Sequence, residues 1–85
     1  MHLVAERFWP GADEISARAS MVKIRASCEQ LAASGVPVRW LGGTYLAGDE
    51  ALSLRFEGTE QAVRAAHELA GEPFDRLLPG VDLGP

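Results

Sequence analysis

One cysteine, Cys28, is all the chain contains, so no disulfide can form within it. A reducing compartment, the cytoplasm, is the resulting expectation. Basic residues are few and scattered. Arg7, Arg18, Lys23, Arg25, Arg39, Arg55, Arg64 and Arg76 make no cluster, and the net charge is −4. A phosphate-binding surface needs a basic face, so a nucleic-acid partner is not expected. No apolar run is long enough to cross a bilayer. The opening MHLVAERF alternates in polarity and carries Glu6 and Arg7 early, unlike a signal peptide. No internal repeat or low-complexity tract is present. Gly42-Gly43 lacks the later glycine and the following helix of a dinucleotide loop. No Ser-His-Asp set follows from spacing.

What is there amounts to one domain, residues 1–85. A chain this short buries only roughly 60% of its unfolded surface. Dimerisation is the usual way to enlarge so small a core. His2 to Trp9 reads as a strand that ends at Pro10-Gly11. Asp13 is suited to cap a helix running to about Ser34, with Gly35 as its stop and Pro37 beyond. That helix has two apolar sides at about 100° per residue. Ile15, Ala19, Val22, Ala26 and Ala33 share one; Ala17, Met21, Ile24, Cys28 and Leu31 share nearly the opposite one. A surface helix of a monomer needs only one such face, so the second is expected to be covered by the other helix, a partner or a ligand.

The segment VPVRWLGGTYLAGDEALSLRF, residues 36–56, reads as two strands joined by a turn at Gly48-Asp49. Gly42-Gly43 inside the first strand marks a bulge or a close approach to the backbone. In the second strand Leu52, Leu54 and Phe56 alternate with Ser53, Arg55 and Glu57, giving an inside and an outside. Thr59 caps a second helix that Gly71 ends, with Ala62, Val63, Ala66, Leu69 and Ala70 as its stripe. A last strand lies around Leu77 to Leu83, and Pro79 confines it to an edge or bulge. The order β-α-β-β-α-β predicts an α+β, ferredoxin-like domain: an antiparallel sheet with two helices on one face. The other face is left bare, and stacking two such faces makes a homodimeric α/β barrel.

VRWLGGTYL, followed by LRFEGTEQAVRAAHELAGEPFDRL, resembles a family of small proteins classed by a domain of unknown function. The positions are Val38, Arg39, Trp40 and Tyr45, then Phe56 and Glu57, then Ala70, Gly71, Pro73, Asp75 and Arg76. The resemblance covers residues 36 to 78 and implies a dimeric ferredoxin-like α/β barrel, with a nickel-binding branch. This chain has Gly42 where such proteins commonly carry a histidine, Leu54 where they carry a cysteine, and Ala66, beside His67, where they carry another histidine. Soft and imidazole donors are what nickel requires.

The remaining ligand-type residues are His2 and His67, the only histidines and the only candidates for a metal such as nickel, with no ligand spacing around either. Cys28 sits on an apolar helical face and reads as packing rather than nucleophile. Trp40 and Tyr45 are core or interface anchors, or the walls of a pocket for a flat ligand. Glu6, Arg55 and Glu57 are cross-strand charges, or Arg55 and Glu57 enter a cavity where their protonation is shifted. His67 is an exposed helical histidine or a proton shuttle in that cavity. The first reading is a homodimer binding a small ligand through Trp40, Tyr45, Arg55, Glu57 and His67 between sheet and helices. The alternative is a cofactor-free enzyme of monooxygenase, isomerase or cyclase type on an aromatic or polycyclic substrate. There His67, Arg55 and Glu57 would be the catalytic candidates, by analogy of fold. A third reading is a structural dimer with a filled core.

Overall fold

The computed structural model describes residues 1–85 and gives strand β1 (His2–Phe8), helix α1 (Glu14–Ala33), strands β2 (Val38–Leu46) and β3 (Ala51–Gly58), helix α2 (Glu60–Ala70) and strand β4 (Arg76–Gly80). All neighbouring strands are antiparallel, in the order β2-β3-β1-β4. This is the ferredoxin-like arrangement, with both helices on one side of the sheet. No helix is long and apolar enough to cross a membrane.

Local chemistry sets the element ends. The Asp13 carboxylate accepts from the Ser16 N–H at 2.7 Å, which starts α1 and holds the Asp13 carboxyl below its ordinary range. The Thr59 hydroxyl accepts from the Ala62 N–H at 3.1 Å and starts α2. Gly71 ends α2 in the left-handed region, at φ 69°. The hairpin turn is a 3-10 turn, Ala47–Asp49, closed by Glu50 at φ 49°. The Glu50 carboxylate accepts from the Gly11 N–H, tying that turn to the β1–α1 loop.

The side-chain alternation of each strand defines two faces. On the helix side lie the rows Leu77–Ala5–Leu54–Gly43, Pro79–Leu3–Phe56–Trp40 and Arg7–Leu52–Tyr45. Ala17, Ile24 and Cys28 of α1 and Ala62, Val63 and Ala66 of α2 close over them. Phe56 is fully buried at the centre. At about 25 cal/mol per Å² of apolar surface, this layer is the main source of stability.

The other face has no cover. Its rows are Phe8–Ala51–Leu46, Arg76–Glu6–Ser53–Thr44, Leu78–Val4–Arg55–Gly42 and Gly80–His2–Glu57–Arg39. The strand β2 slips register between Trp40 and Gly42, so Leu41 is the bulge residue and Gly42 comes to lie beside Arg55.

Three expectations differ. The α1 side formed by Ile15, Ala19, Val22 and Ala26 is not covered by the other helix; Ile15 is 80% exposed. Leu69 leaves the α2 stripe and is half exposed, and His67 is buried in its stead. The final strand ends at Gly80, leaving Val81 to Pro85 as an exposed tail.

Candidate functional site

The sheet divides the residues expected to form one site. Trp40, Tyr45 and His67 lie on the helix side, whereas His2, Arg55 and Glu57 lie on the open side. A four-stranded sheet stands between the two sets, so His67 cannot share a substrate with Arg55 or Glu57. The layer between sheet and helices, where a ligand was expected, is filled by Phe56, Leu54, Leu3, Ile24 and Val63.

Within that layer the aromatic residues pack against protein. The Trp40 ring meets Phe56 edge-on, with centroids 5.5 Å apart. Tyr45 donates its hydroxyl to the Ala12 carbonyl at 2.7 Å, anchoring the β1–α1 loop over the sheet. His67 is only 3% exposed and stands between Phe56 and Phe74. Its Nδ1 lies 2.9 Å from the Glu72 carbonyl, an acceptor, so Nδ1 carries the proton. Nε2 is then an acceptor without any partner. Burial, with the Arg7 charge adding to it, holds the imidazole below its ordinary value and keeps it neutral.

The most enclosed ion-paired cation is Arg7, one of the basic residues scattered along the sequence. Alternation along β1 puts Arg7 on the same side as Leu3 and Ala5, and that was the signal available. Its guanidinium lies 3.7 Å over the Trp9 ring, 3.3 Å from the Ser20 hydroxyl and 3.4 Å from the Glu72 carboxylate. Both members of the Arg7–Glu72 pair are largely buried. The arrangement links β1, α1 and the segment after α2. With each of these charges already partnered, we read it as a clamp.

On the open face, Glu57 pairs with the N-terminal ammonium at 2.6 Å, and that hydrogen bond lowers the Glu57 carboxyl from its ordinary range. Glu6 pairs with Arg76 across β1 and β4, as its register dictates. Arg55 differs from both. It is half-buried at mid-sheet, its single hydrogen bond goes to the Thr44 hydroxyl at 3.3 Å, and no carboxylate lies within ion-pair distance. Its Nη2 occupies space that a Cβ at position 42 would enter, 2.8 Å from that point, and Gly42 has φ +145°. That backbone conformation favours glycine, and a Cβ there would push the guanidinium aside. Arg55, His2, Leu41, Val81, Asp82 and Leu83 line a groove of about 570 Å³.

Nickel does not fit these residues. His2 and His67 lie on opposite faces, and no three His, Cys, Asp or Glu side chains come together. Cys28 is buried, and desolvation pushes its thiol up to about 11, which disfavours the thiolate a soft metal needs.

The fold and this distribution of charge define a class of protein, a ferredoxin-like α+β domain with one sheet face uncovered. No protein-family model, curated protein or solved structure matches the chain.

Proposed function

We propose that the chain is a homodimeric ligand-binding protein in which two copies stack their open sheet faces and keep a small molecule in the groove between the sheets. The observation that carries this reading is the uncovered face itself. Phe8 is 63% exposed, and Leu46 and Leu78 are more than a third exposed. They lie on two rows of the open face, Phe8 and Leu46 on one and Leu78 beside Val4 on another, with the polar row Arg76–Glu6–Ser53–Thr44 between them. Exposed apolar groups on one face are of the kind that marks an interface. A second copy is the simplest matching surface, because a two-fold axis sets the same rows against each other. The likeness of the Val38–Tyr45 strand and its following helix to dimeric α/β barrels supports the same assembly. The buried, lone Cys28 suits a reducing compartment such as the cytoplasm.

Binding is favoured over catalysis because the acid-base candidates do not converge. His67 is buried between Phe56 and Phe74 on the helix side, while Glu57, on the open side, is engaged by the N-terminus. Light scattering at micromolar concentration tests the assembly. The expected mass is about twice the 9.1 kDa of one chain. Phe8→Asp and Leu46→Asp, at exposed positions of the open face, are expected to give folded monomers. A wild-type mass near that of one chain, with the protein folded, overturns the reading.

A further inference from the structure

We infer that the open-face groove is a binding site for an amphipathic monocarboxylate, with the Arg55 guanidinium taking the carboxylate and Leu41, Val81 and Leu83 taking the apolar body. The inference deepens the reading above, since it names the ligand class for the groove that the second copy would close.

Three observations converge on it. First, Arg55 is the one cation at the centre of the open face without a carboxylate partner, while the neighbouring Glu6 and Glu57 are each already paired. A guanidinium holds a carboxylate through two parallel N–H bonds. One Nη group is already oriented by Thr44, so less side-chain freedom remains to be lost on binding. Second, the guanidinium lies against the β2 backbone in the space left by the missing side chain at Gly42, which the bulge at Leu41 brings beside Arg55. Third, the groove wall is mixed. Val81 and Leu83 are almost fully exposed and Leu41 is over a third exposed, an apolar cost that a hydrocarbon body removes.

The charge of the face selects a monoanion. Arg39, Arg55, Arg76 and the terminal ammonium oppose only Glu6 and Glu57 on these rows. Two copies stacked face to face would bring like charge together and desolvate Arg55, which is costly without a counter-ion. One carboxylate per chain offsets that. A phosphate would want several cations or a cradle of backbone N–H groups, and the groove offers Arg55 and His2 alone. The Asp82 carboxylate also lines the groove, but it accepts from the Gly84 N–H at 2.9 Å and makes no ion pair with Arg55. The bound carboxylate therefore also favours the dimer.

Calorimetric titration with sodium octanoate tests the site, with octanol and sulfate as controls, on wild type and on Arg55→Gln. Octanoate is expected to bind wild type and to bind Arg55→Gln about tenfold more weakly, the loss of roughly one charged hydrogen bond. Octanol and sulfate are expected to give no comparable binding. Equal octanoate binding by both proteins, equal binding of octanol or sulfate, or none to the folded wild type overturns the inference. Circular dichroism checks that Arg55→Gln is folded. Should it not be, Leu83→Asp, on the exposed tail where it sets a charge against the apolar body, is read the same way. Scattering with and without octanoate separates the two proposals. A dimer indifferent to octanoate, with no binding heat, sinks the carboxylate site and leaves the assembly. A monomer that binds octanoate through Arg55 sinks the assembly and leaves the site.

Discussion

Charged residues of similar sequence appearance carry very different weight here, because burial decides what each is worth. The Arg18–Glu14 pair is i,i+4 on α1 and largely exposed, so its loss changes stability by roughly 0.5 kcal/mol or less. The Arg7–Glu72 pair is almost enclosed. Removing one partner leaves a buried charge alone, and Arg7→Met is expected to cost about 3 kcal/mol in urea denaturation. The double variant Arg7→Met/Glu72→Leu is expected to recover part of that loss, since no charge is then stranded. His67 gives a pH signature. Its ordinary value is 6.5 and the folded value is lower. Well above pH 6.5 the ring is neutral in both states. As pH falls below that, the unfolded chain takes up a proton that the folded chain refuses, so stability declines with acid. Denaturation midpoints between about pH 7.5 and 5 should fall for wild type, and His67→Phe should remove the part due to this ring.

At the level of elements, the fold depends on where single atoms fit. Gly58 has φ +154°, and a Cβ there would lie 2.3 Å from the Pro37 carbonyl oxygen. Neither atom is on a flexible side chain. Gly58→Ala is therefore expected to lower the melting temperature far more than Gly71→Ala, where the added Cβ meets nothing and only the left-handed backbone is penalised, by about 1 kcal/mol. The Thr59 cap is expected to contribute about 1 kcal/mol, read by Thr59→Ala. In the core, Phe56→Ala should cost about 3–5 kcal/mol. Trp40→Ala should cost less, because Trp40 is only half-buried against the same ring.

For the molecule as a whole, the governing fact is that both helices cover the same side of one sheet. If the second side is covered by another copy, unfolding includes dissociation, and the melting temperature must rise with protein concentration. A tenfold increase in concentration is expected to raise it measurably for wild type and to leave Phe8→Asp unchanged. A concentration-independent melt of wild type speaks against the assembly. The outward stripe of α1, with Ile15, Ala19, Val22 and Ala26, remains a second uncovered apolar surface.

The order of elements, their caps and their stops were legible in the sequence. Asp13, Thr59, Gly35 and Gly71 act on backbone groups a few residues away, and Leu52, Leu54 and Phe56 carry the period of a half-covered strand. A bulge next to Gly42-Gly43 was legible for the same local reason, although the residue that bulges is Leu41. The candidate site was only partly so. Trp40, Tyr45, Arg55, Glu57 and His67 were all visible as residues, but which side of the sheet each occupies depends on strand register and on the angle at which a helix meets the sheet. Those are set by packing between segments distant in the chain. Hence His67 went inward while Leu69 went out, and Arg7 met Glu72, 65 residues away. Local hydrogen bonding and periodicity determined the elements; long-range burial alone decided that Arg55 lies without a counter-ion and Arg7 does not.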